Sequence, residues 1–193
     1  MKLYGSTTSP YVRRLRLLLA DTDYEFESVN VFGADREELK KINPTLKIPM
    51  FKDPKLKGTD VLYDSGLVYR YLVEQHGFGA LTFAEQNVLA VIDACSDSLV
   101  NMMIMRRSDI DTSQDKLYYN IQRERQQVSF DMLEQEVAKG TFANWNYLSM
   151  SLVVLVEWTQ FRSLYDFSSY PNLLGFVAES QQQKAVIETA PKE

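Results

Sequence analysis

Residues 9–14 read Ser-Pro-Tyr-Val-Arg-Arg, and they stand where a first strand, Lys2–Gly5, gives way to a first helix. Serine at the cap followed by proline at the first helical position is the preferred way to start a helix. Apolar residues then recur at helical spacing, at Val12, Leu15, Leu18 and Leu19. The chain is therefore predicted to begin with a strand followed by a helix.

The alternation of strands and helices continues to about residue 77. The predicted elements are, in order, a strand over 24–31, a short helix over 35–42, strands over 48–51 and 61–63, and a closing helix over 66–75. Turn-forming residues fill the segment between the last two strands. This order is β-α-β-α-β-β-α and predicts an α/β domain.

From residue 82 onward the only periodicity is helical. The predicted helices cover 82–107, 117–137, 148–165 and 172–183. The third is apolar nearly all round, which is typical of a buried central helix. Because the pattern changes at Gly77-Phe78-Gly79, the sequence predicts an α/β domain over 1–77 and an all-helical domain over 83–193.

Composition argues against several classes of function. The net charge is −5 without a basic block, so we expect no nucleic-acid partner. The longest apolar run, 152–156, is too short to span a bilayer and the N-terminus lacks a signal-peptide core, so we expect a cytoplasmic protein with no membrane partner.

One cysteine and one histidine, Cys95 and His76, predict no metal site. Cys95 should be a buried, inert thiol, and His76 has no evident partner.

Ser9 has a structural and a functional interpretation. It caps a helix in the first, and in the second its hydroxyl donates to a thiolate held at the positive helix end. Lowering a thiol pKa by about two units needs about 2.7 kcal/mol. A hydrogen bond to a charged group supplies about 1.5–3 kcal/mol and the helix end about 0.3–1 kcal/mol, so the two together are sufficient.

Two further segments also have two interpretations. In Lys47-Ile48-Pro49, the proline either marks an edge strand or follows a cis bond that leaves the backbone of Ile48 free to pair with a peptide ligand. Asp64-Ser65 either caps the closing helix or binds a ligand. In the ligand-binding interpretation, Ser65 and the helix end hold a carboxylate, and Asp64 holds an amino group.

Taken in this order along the predicted β-α-β-α-β-β-α domain, these segments resemble the bacterial glutathione transferase family. The stretch at 9–14 is most similar to omega- and beta-type members, which commonly carry cysteine where this chain has Ser9. The resemblance extends to Tyr170-Pro171-Asn172-Leu173 and so covers nearly the whole chain. It implies a thioredoxin-like N-terminal domain that binds glutathione and an all-helical C-terminal domain.

The resemblance implies a role for each residue that would contact glutathione. Ser9 is the catalytic residue and contacts the sulfur, and Ile48 pairs with the cysteinyl backbone. Asp64-Ser65 holds the γ-glutamyl end. Lys47, or with less support Lys41, faces the glycyl carboxylate.

By the same resemblance the protein is an enzyme that conjugates glutathione to a small hydrophobic electrophile in detoxification, or uses it to reduce a peroxide. Tyr11, Met102, Met103 and Arg106 are the candidate electrophile pocket, although methionines on a helix are also ordinary core residues. A homodimer is expected, with the N-terminal domain of one subunit facing the helical domain of the other.

Two alternatives belong to other classes of function. One is a non-catalytic interaction protein on the same fold, of the stringent starvation protein A type. The other, a thiol-disulfide reductase, is disfavoured because no cysteine lies near Ser9. One folding device also looks altered, because Ser149–Leu152 lacks the acid of the capping box that the family usually has before its buried helix.

Overall fold

The computed structural model describes residues 1–192, which form two compact units. The first comprises Met1–Ala80 and the segment from Gln183 onward, and the second comprises Leu81–Gln182. The strands are β1 (Lys2–Gly5), β2 (Glu25–Ser28), β3 (Met50–Lys52) and β4 (Leu62–Tyr63), and the helices are α1 (Pro10–Leu18), α2 (Arg36–Ile42), α3 (Ser65–His76), α4 (Phe83–Arg107), α5 (Leu117–Ala138), α6 (Tyr147–Phe161), α7 (Pro171–Ser180) and α8 (Lys184–Glu188). The predicted α/β fold followed by an all-helical part is confirmed.

The four strands form one mixed sheet in the order β2-β1-β3-β4. β1 is parallel to β2 and antiparallel to β3, and β4 is antiparallel to β3. Met50 and Phe51 point to opposite faces of this sheet, as successive strand residues must. Met50 joins a buried cluster with Leu39 of α2, whereas the Phe51 ring lies 6.1 Å from the ring of Tyr71 on α3. The sheet therefore has α2 on one face and α3 on the other.

The first turn of α1 lies directly on the end of β1. Gly5 is buried, and a Cβ atom added there would lie 2.3 Å from Cγ2 of Val12. A side chain at residue 5 would clash with Val12, so the close packing of α1 on the end of β1 depends on this glycine.

The sequence pattern assigned the whole of 83–193 to the helical domain. In the structure, the C-terminal segment from Gln183 onward packs with the first unit instead. Arg13 on α1 is 2% exposed, and its Nη2 donates to the carbonyl oxygen of Val186 at 3.0 Å. Its Nε donates to Oγ1 of Thr189 at 3.3 Å. A buried guanidinium requires acceptors, and the segment around α8 supplies them.

The second unit is built around α4 and α6. Nearly all of α6 is buried, as its apolar sequence predicted. By length and composition α4 would suffice to cross a membrane, but it packs on α5 and α6 and its residues Ile92, Cys95 and Leu99 are buried. These contacts identify α4 as a core helix. Burial raises the pKa of the Cys95 thiol to about 12, as expected for an inert thiol.

The capping box that the sequence seemed to lack is present with a different partner. Asn146 caps α6 by accepting from the N–H groups of Leu148 and Ser149, and Oγ of Ser149 accepts from the N–H of Asn146. Nδ2 of Asn146 also donates to Glu85 at 3.0 Å, and Glu85 completes a second capping box with Thr82 at the start of α4. The capping box is therefore altered, as expected, but it begins at Asn146 and has Ser149 as its third helical residue, whereas the sequence pattern placed its start at Ser149.

His76 also has a partner that the sequence did not reveal. Its Nε2 lies 2.5 Å from Oδ2 of Asp53, which follows β3. Burial raises the pKa of the Asp53 carboxyl, but bonds from the Lys55 N–H, His76 and Tyr71 outweigh burial and hold it below its usual value. The pair connects the end of β3 to the last turn of α3.

Candidate functional site

The predicted ligand-binding segments of the first unit lie at one edge of the sheet. The strand register pairs Tyr4 with Met50 and Met50 with Tyr63. The end of β1, the start of β3 and the end of β4 are therefore side by side, although they are distant in sequence. The chain next to these strand ends carries Ser9, Ile48, Asp64 and Ser65.

Ser9 is the N-cap of α1, with Pro10 at the first helical position. Its backbone is extended, with φ −85° and ψ 127°, and its half-buried Oγ accepts from the N–H of Val12 at 3.4 Å. This distance is long for a hydrogen bond, so the hydroxyl is only weakly engaged by its own helix. Its proton and second lone pair are available to a ligand at the positive end of α1.

Ile48 lies two residues before the first paired residue of β3, outside the register of the sheet. The Ile48-Pro49 bond is cis, which answers the question that the sequence left open. The side chain of Ile48 packs on the core under α2, so its backbone is held in place.

Asn43 orders the loop that leads to Ile48, and sequence reasoning gave it no role. It is fully buried, its Nδ2 donates to the carbonyl oxygen of Lys47 at 2.7 Å, and its Oδ1 accepts from the N–H and hydroxyl of Thr45. The signal was present in the sequence, because asparagine in a turn commonly bonds to the backbone two residues on. Lys47 itself is exposed, whereas Lys41 forms an ion pair with Glu38 at 2.6 Å.

Asp64 has a strained backbone at the start of α3. Its φ is +77° and its ψ is 137°, a conformation that costs a residue with a side chain about 1–3 kcal/mol. Its Oδ1 accepts from the N–H groups of Gly66 at 2.7 Å and Leu67 at 3.3 Å, which caps the helix. Ser65, the first helical residue, is 1% exposed. Strain of this kind concentrates at ligand-binding positions.

The edge therefore combines two helix N-termini with groups of opposite charge. The starts of α1 and α3 each carry partial positive charge and favour an anion. Asp64 offers an exposed carboxylate to a cation, and Lys47 offers an exposed ammonium to a carboxylate. Such a set suits an extended ligand with a thiolate, carboxylates and an amine. Among residues 1–192 no cluster of three or more His, Cys, Asp or Glu side chains is arranged to hold a metal ion.

The residues predicted for an electrophile pocket are divided between the units. Met102 and Arg106 line a cavity of about 960 Å³ within the second unit, formed by α4, the segment 109–113, α5 and residues 164–166. Met103 is not among the residues that line it, and Tyr11 belongs to the first unit. The cavity lies within the usual size range of small-molecule sites.

Two arginines of this cavity meet at one residue. Nε of Arg106 donates to Oγ1 of Thr112 at 3.3 Å, and Nη1 of Arg123 donates to the carbonyl oxygen of the same residue at 2.6 Å. Thr112 is 6% exposed. Its two bonds hold both guanidinium groups at the cavity wall.

Comparison with known proteins identifies the first unit. Residues 3–80 match the family described as glutathione S-transferase, N-terminal domain. The uncharacterized GST-like protein YibF of Escherichia coli K12 is 28% identical over 174 residues, which are 84% of this chain and 83% of the relative.

Solved structures extend the likeness to the whole chain. A glutathione transferase family member from Pseudomonas fluorescens Pf-5, solved with bound glutathione, has a TM-score of 0.83 and 22% identity and covers 100% of this chain and 99% of its own. A glutathione S-transferase from Methylobacterium radiotolerans, in complex with glutathione sulfonate, has a TM-score of 0.83 and 16% identity, with 100% and 95% covered. At these identities the likeness shows the fold.

Proposed function

We propose that this chain, which belongs to the glutathione S-transferase family through its N-terminal unit, binds glutathione and activates the thiol for attack on a small electrophile. The observation that carries the proposal is the position of Ser9, whose hydroxyl stands at the N-terminus of α1 with only a long bond to its own helix. Relatives with this fold have been solved with glutathione bound.

The chemistry requires a stabilised thiolate more than a base. The Ser9 hydroxyl donates to the sulfur while the N-terminus of α1 favours its negative charge, and the proton of the thiol leaves to solvent. Holding sulfur and electrophile together then supplies much of the acceleration. No titratable side chain of the protein has to change its charge in this scheme.

The other groups of the edge bind the rest of glutathione in this proposal. Ser65 and the N-terminus of α3 hold the γ-glutamyl carboxylate, and Asp64 pairs with its amino group. The backbone of Ile48 pairs with the cysteinyl residue in the manner of an added strand. Lys47 faces the glycyl carboxylate, and it is favoured over Lys41 because Lys41 is already paired with Glu38.

The second substrate is proposed to be a small hydrophobic electrophile, with peroxide reduction as the alternative reaction of the same thiolate. Met102 and Arg106 contribute to the electrophile site in this proposal, supported by the cavity that they line. A cytoplasmic homodimer completes the proposal, on the basis of family resemblance. The division into a glutathione-binding domain over 1–77 and an all-helical domain over 83–193 stays a proposal.

Calorimetric titration with glutathione tests the proposal. We expect saturable binding to the natural protein, and about 10- to 100-fold weaker binding to Ser65→Ala, because a hydrogen bond to a charged group is worth about 1.5–3 kcal/mol. Ser96→Ala is the matched control, since Ser96 is also buried but lies on α4 and donates to the carbonyl oxygen of Ile92.

Equal affinity of Ser65→Ala and the natural protein would contradict the proposed pose. No binding by the natural protein would instead favour a non-catalytic interaction protein of the stringent starvation protein A type. Conjugation and peroxide reduction are then separated by assaying a panel of aryl halides, enones and organic hydroperoxides.

A further inference from the structure

Arg13 connects the helix that carries Ser9 to the C-terminal segment. Its guanidinium donates to the carbonyl oxygen of Val186 at 3.0 Å and to Oγ1 of Thr189 at 3.3 Å. These three residues, which we name the C-terminal clasp, are almost completely buried, with exposures of 2% for Arg13, 0% for Val186 and 7% for Thr189. Because arginine stays charged at all accessible pH values, the buried group requires acceptors, and the clasp supplies two of them.

The clasp reaches Ser9 through one turn of helix. The N–H of Arg13 donates to the carbonyl oxygen of Ser9 at 3.0 Å, which closes the first turn of α1. In the same turn, the side chain of Val12 packs closely against Gly5 at the end of β1. The first turn therefore contacts both β1 and the C-terminal segment.

We propose that Arg13 is a positioning residue for Ser9, and that the C-terminal clasp sets the orientation in which the Ser9 hydroxyl meets the glutathione sulfur. The inference rests on the proposed function. With the clasp released, the first turn loses its bonds to the C-terminal segment and can shift against β1. A displacement of about 1 Å at a reacting group is enough to cost about 100-fold in rate. In this proposal the C-terminal segment controls the reactivity of the thiol.

Full-length variants test the clasp. Thr189→Val removes the hydroxyl that accepts from Arg13, and Thr189→Ser retains it. Arg13→Lys replaces a forked donor with a single ammonium, which cannot serve both acceptors in the same way. Lys184→Ala is the matched control on α8, because it breaks an exposed ion pair with Glu188 at 3.2 Å and leaves the clasp intact.

The readouts are the pKa of the bound glutathione thiol, from the ultraviolet absorbance of the thiolate against pH, and kcat and KM separately. We expect Thr189→Val and Arg13→Lys each to raise this pKa by about one unit, which is tenfold less thiolate below it, and to lower kcat more than KM rises. Thr189→Ser and Lys184→Ala should match the natural protein. The double variant Arg13→Lys/Thr189→Val should be no worse than the more impaired single variant, since both act on the same clasp.

A Thr189→Val protein that is less stable but keeps the natural thiol pKa and kcat would overturn the inference while leaving the proposed function intact. If that variant does not fold, Arg13→Lys decides by the same comparison. A natural protein that binds no glutathione would refute the proposed function, and the positioning role would fall with it.

Discussion

Replacing Ser9 with alanine should change the thiol and the fold by amounts that can be calculated separately. The lost hydrogen bond to a thiolate is worth about 1.5–3 kcal/mol, or about one to two units of thiol pKa at 1.36 kcal/mol per unit. Loss of an N-cap costs about 0.5–2 kcal/mol in general. Here the bond from the Val12 N–H is long, at 3.4 Å, so the loss of folding stability should lie near the lower limit.

Two assays separate these effects. Titration of bound glutathione by ultraviolet absorbance reports the thiol pKa, which we expect to rise in Ser9→Ala. Urea unfolding reports stability, which we expect to fall by about 0.5 kcal/mol. An unchanged thiol pKa together with a large loss of stability would refute the reasoning, because Ser9 would then be a cap and nothing more.

Ser9→Cys provides an independent check of the same position. A thiol at the N-terminus of α1 should have a lowered pKa and should form a mixed disulfide with oxidised glutathione. Mass spectrometry should locate the adduct on residue 9, whereas Cys95 serves as an internal control because it is buried and its pKa is raised to about 12. A cysteine at residue 9 that reacts no faster than a free thiol would show that this position does not face the sulfur.

Asn146→Ala should destabilise the protein by about 2–4 kcal/mol in urea unfolding, because it removes a helix cap and a bond to the Glu85 carboxylate. Asn144→Ala is the control, and a loss below about 0.5 kcal/mol in Asn146→Ala would contradict the role of the capping box. In sedimentation at micromolar concentration the protein should be a dimer, as the family resemblance implies. A monomer would remove the proposed dimer without affecting the glutathione site.

The order of elements was predictable because its signals are local. The cap at Ser9, the alternation in the strands and the apolar stripe of α4 can each be recognised from residues that are close together in the sequence. The strand register then brings Ser9, Ile48 and Asp64 to one edge of the sheet, as the order β-α-β-α-β-β-α implies. Their roles toward glutathione came from resemblance and remain predictions.

What the sequence did not reveal depends on contacts between distant residues. The bond from Arg13 to Val186 spans 173 positions, and no periodicity records it. His76 and Asp53 are separated by 23 positions and meet only because β3 and α3 end at the same side of the first unit. The capping box of α6 was missed for a different reason, because the sequence pattern placed the cap at Ser149, whereas this serine is the third helical residue of a box that starts at Asn146.

The strained backbone of Asp64 lowers the stability of the fold, whereas its carboxylate is proposed to serve ligand binding, so selection for stability and selection for function favour different residues at this position. Glycine at this position would relieve about 1–3 kcal/mol of strain, and as an N-cap it is only a few tenths of a kcal/mol worse than aspartate. A screen for thermostable variants would therefore enrich glycine at residue 64, where φ is +77°. Such a variant would lose the carboxylate proposed to bind the amine of glutathione. If aspartate persists at residue 64 in variants selected for activity, selection acts there on the ligand site rather than on the stability of the fold.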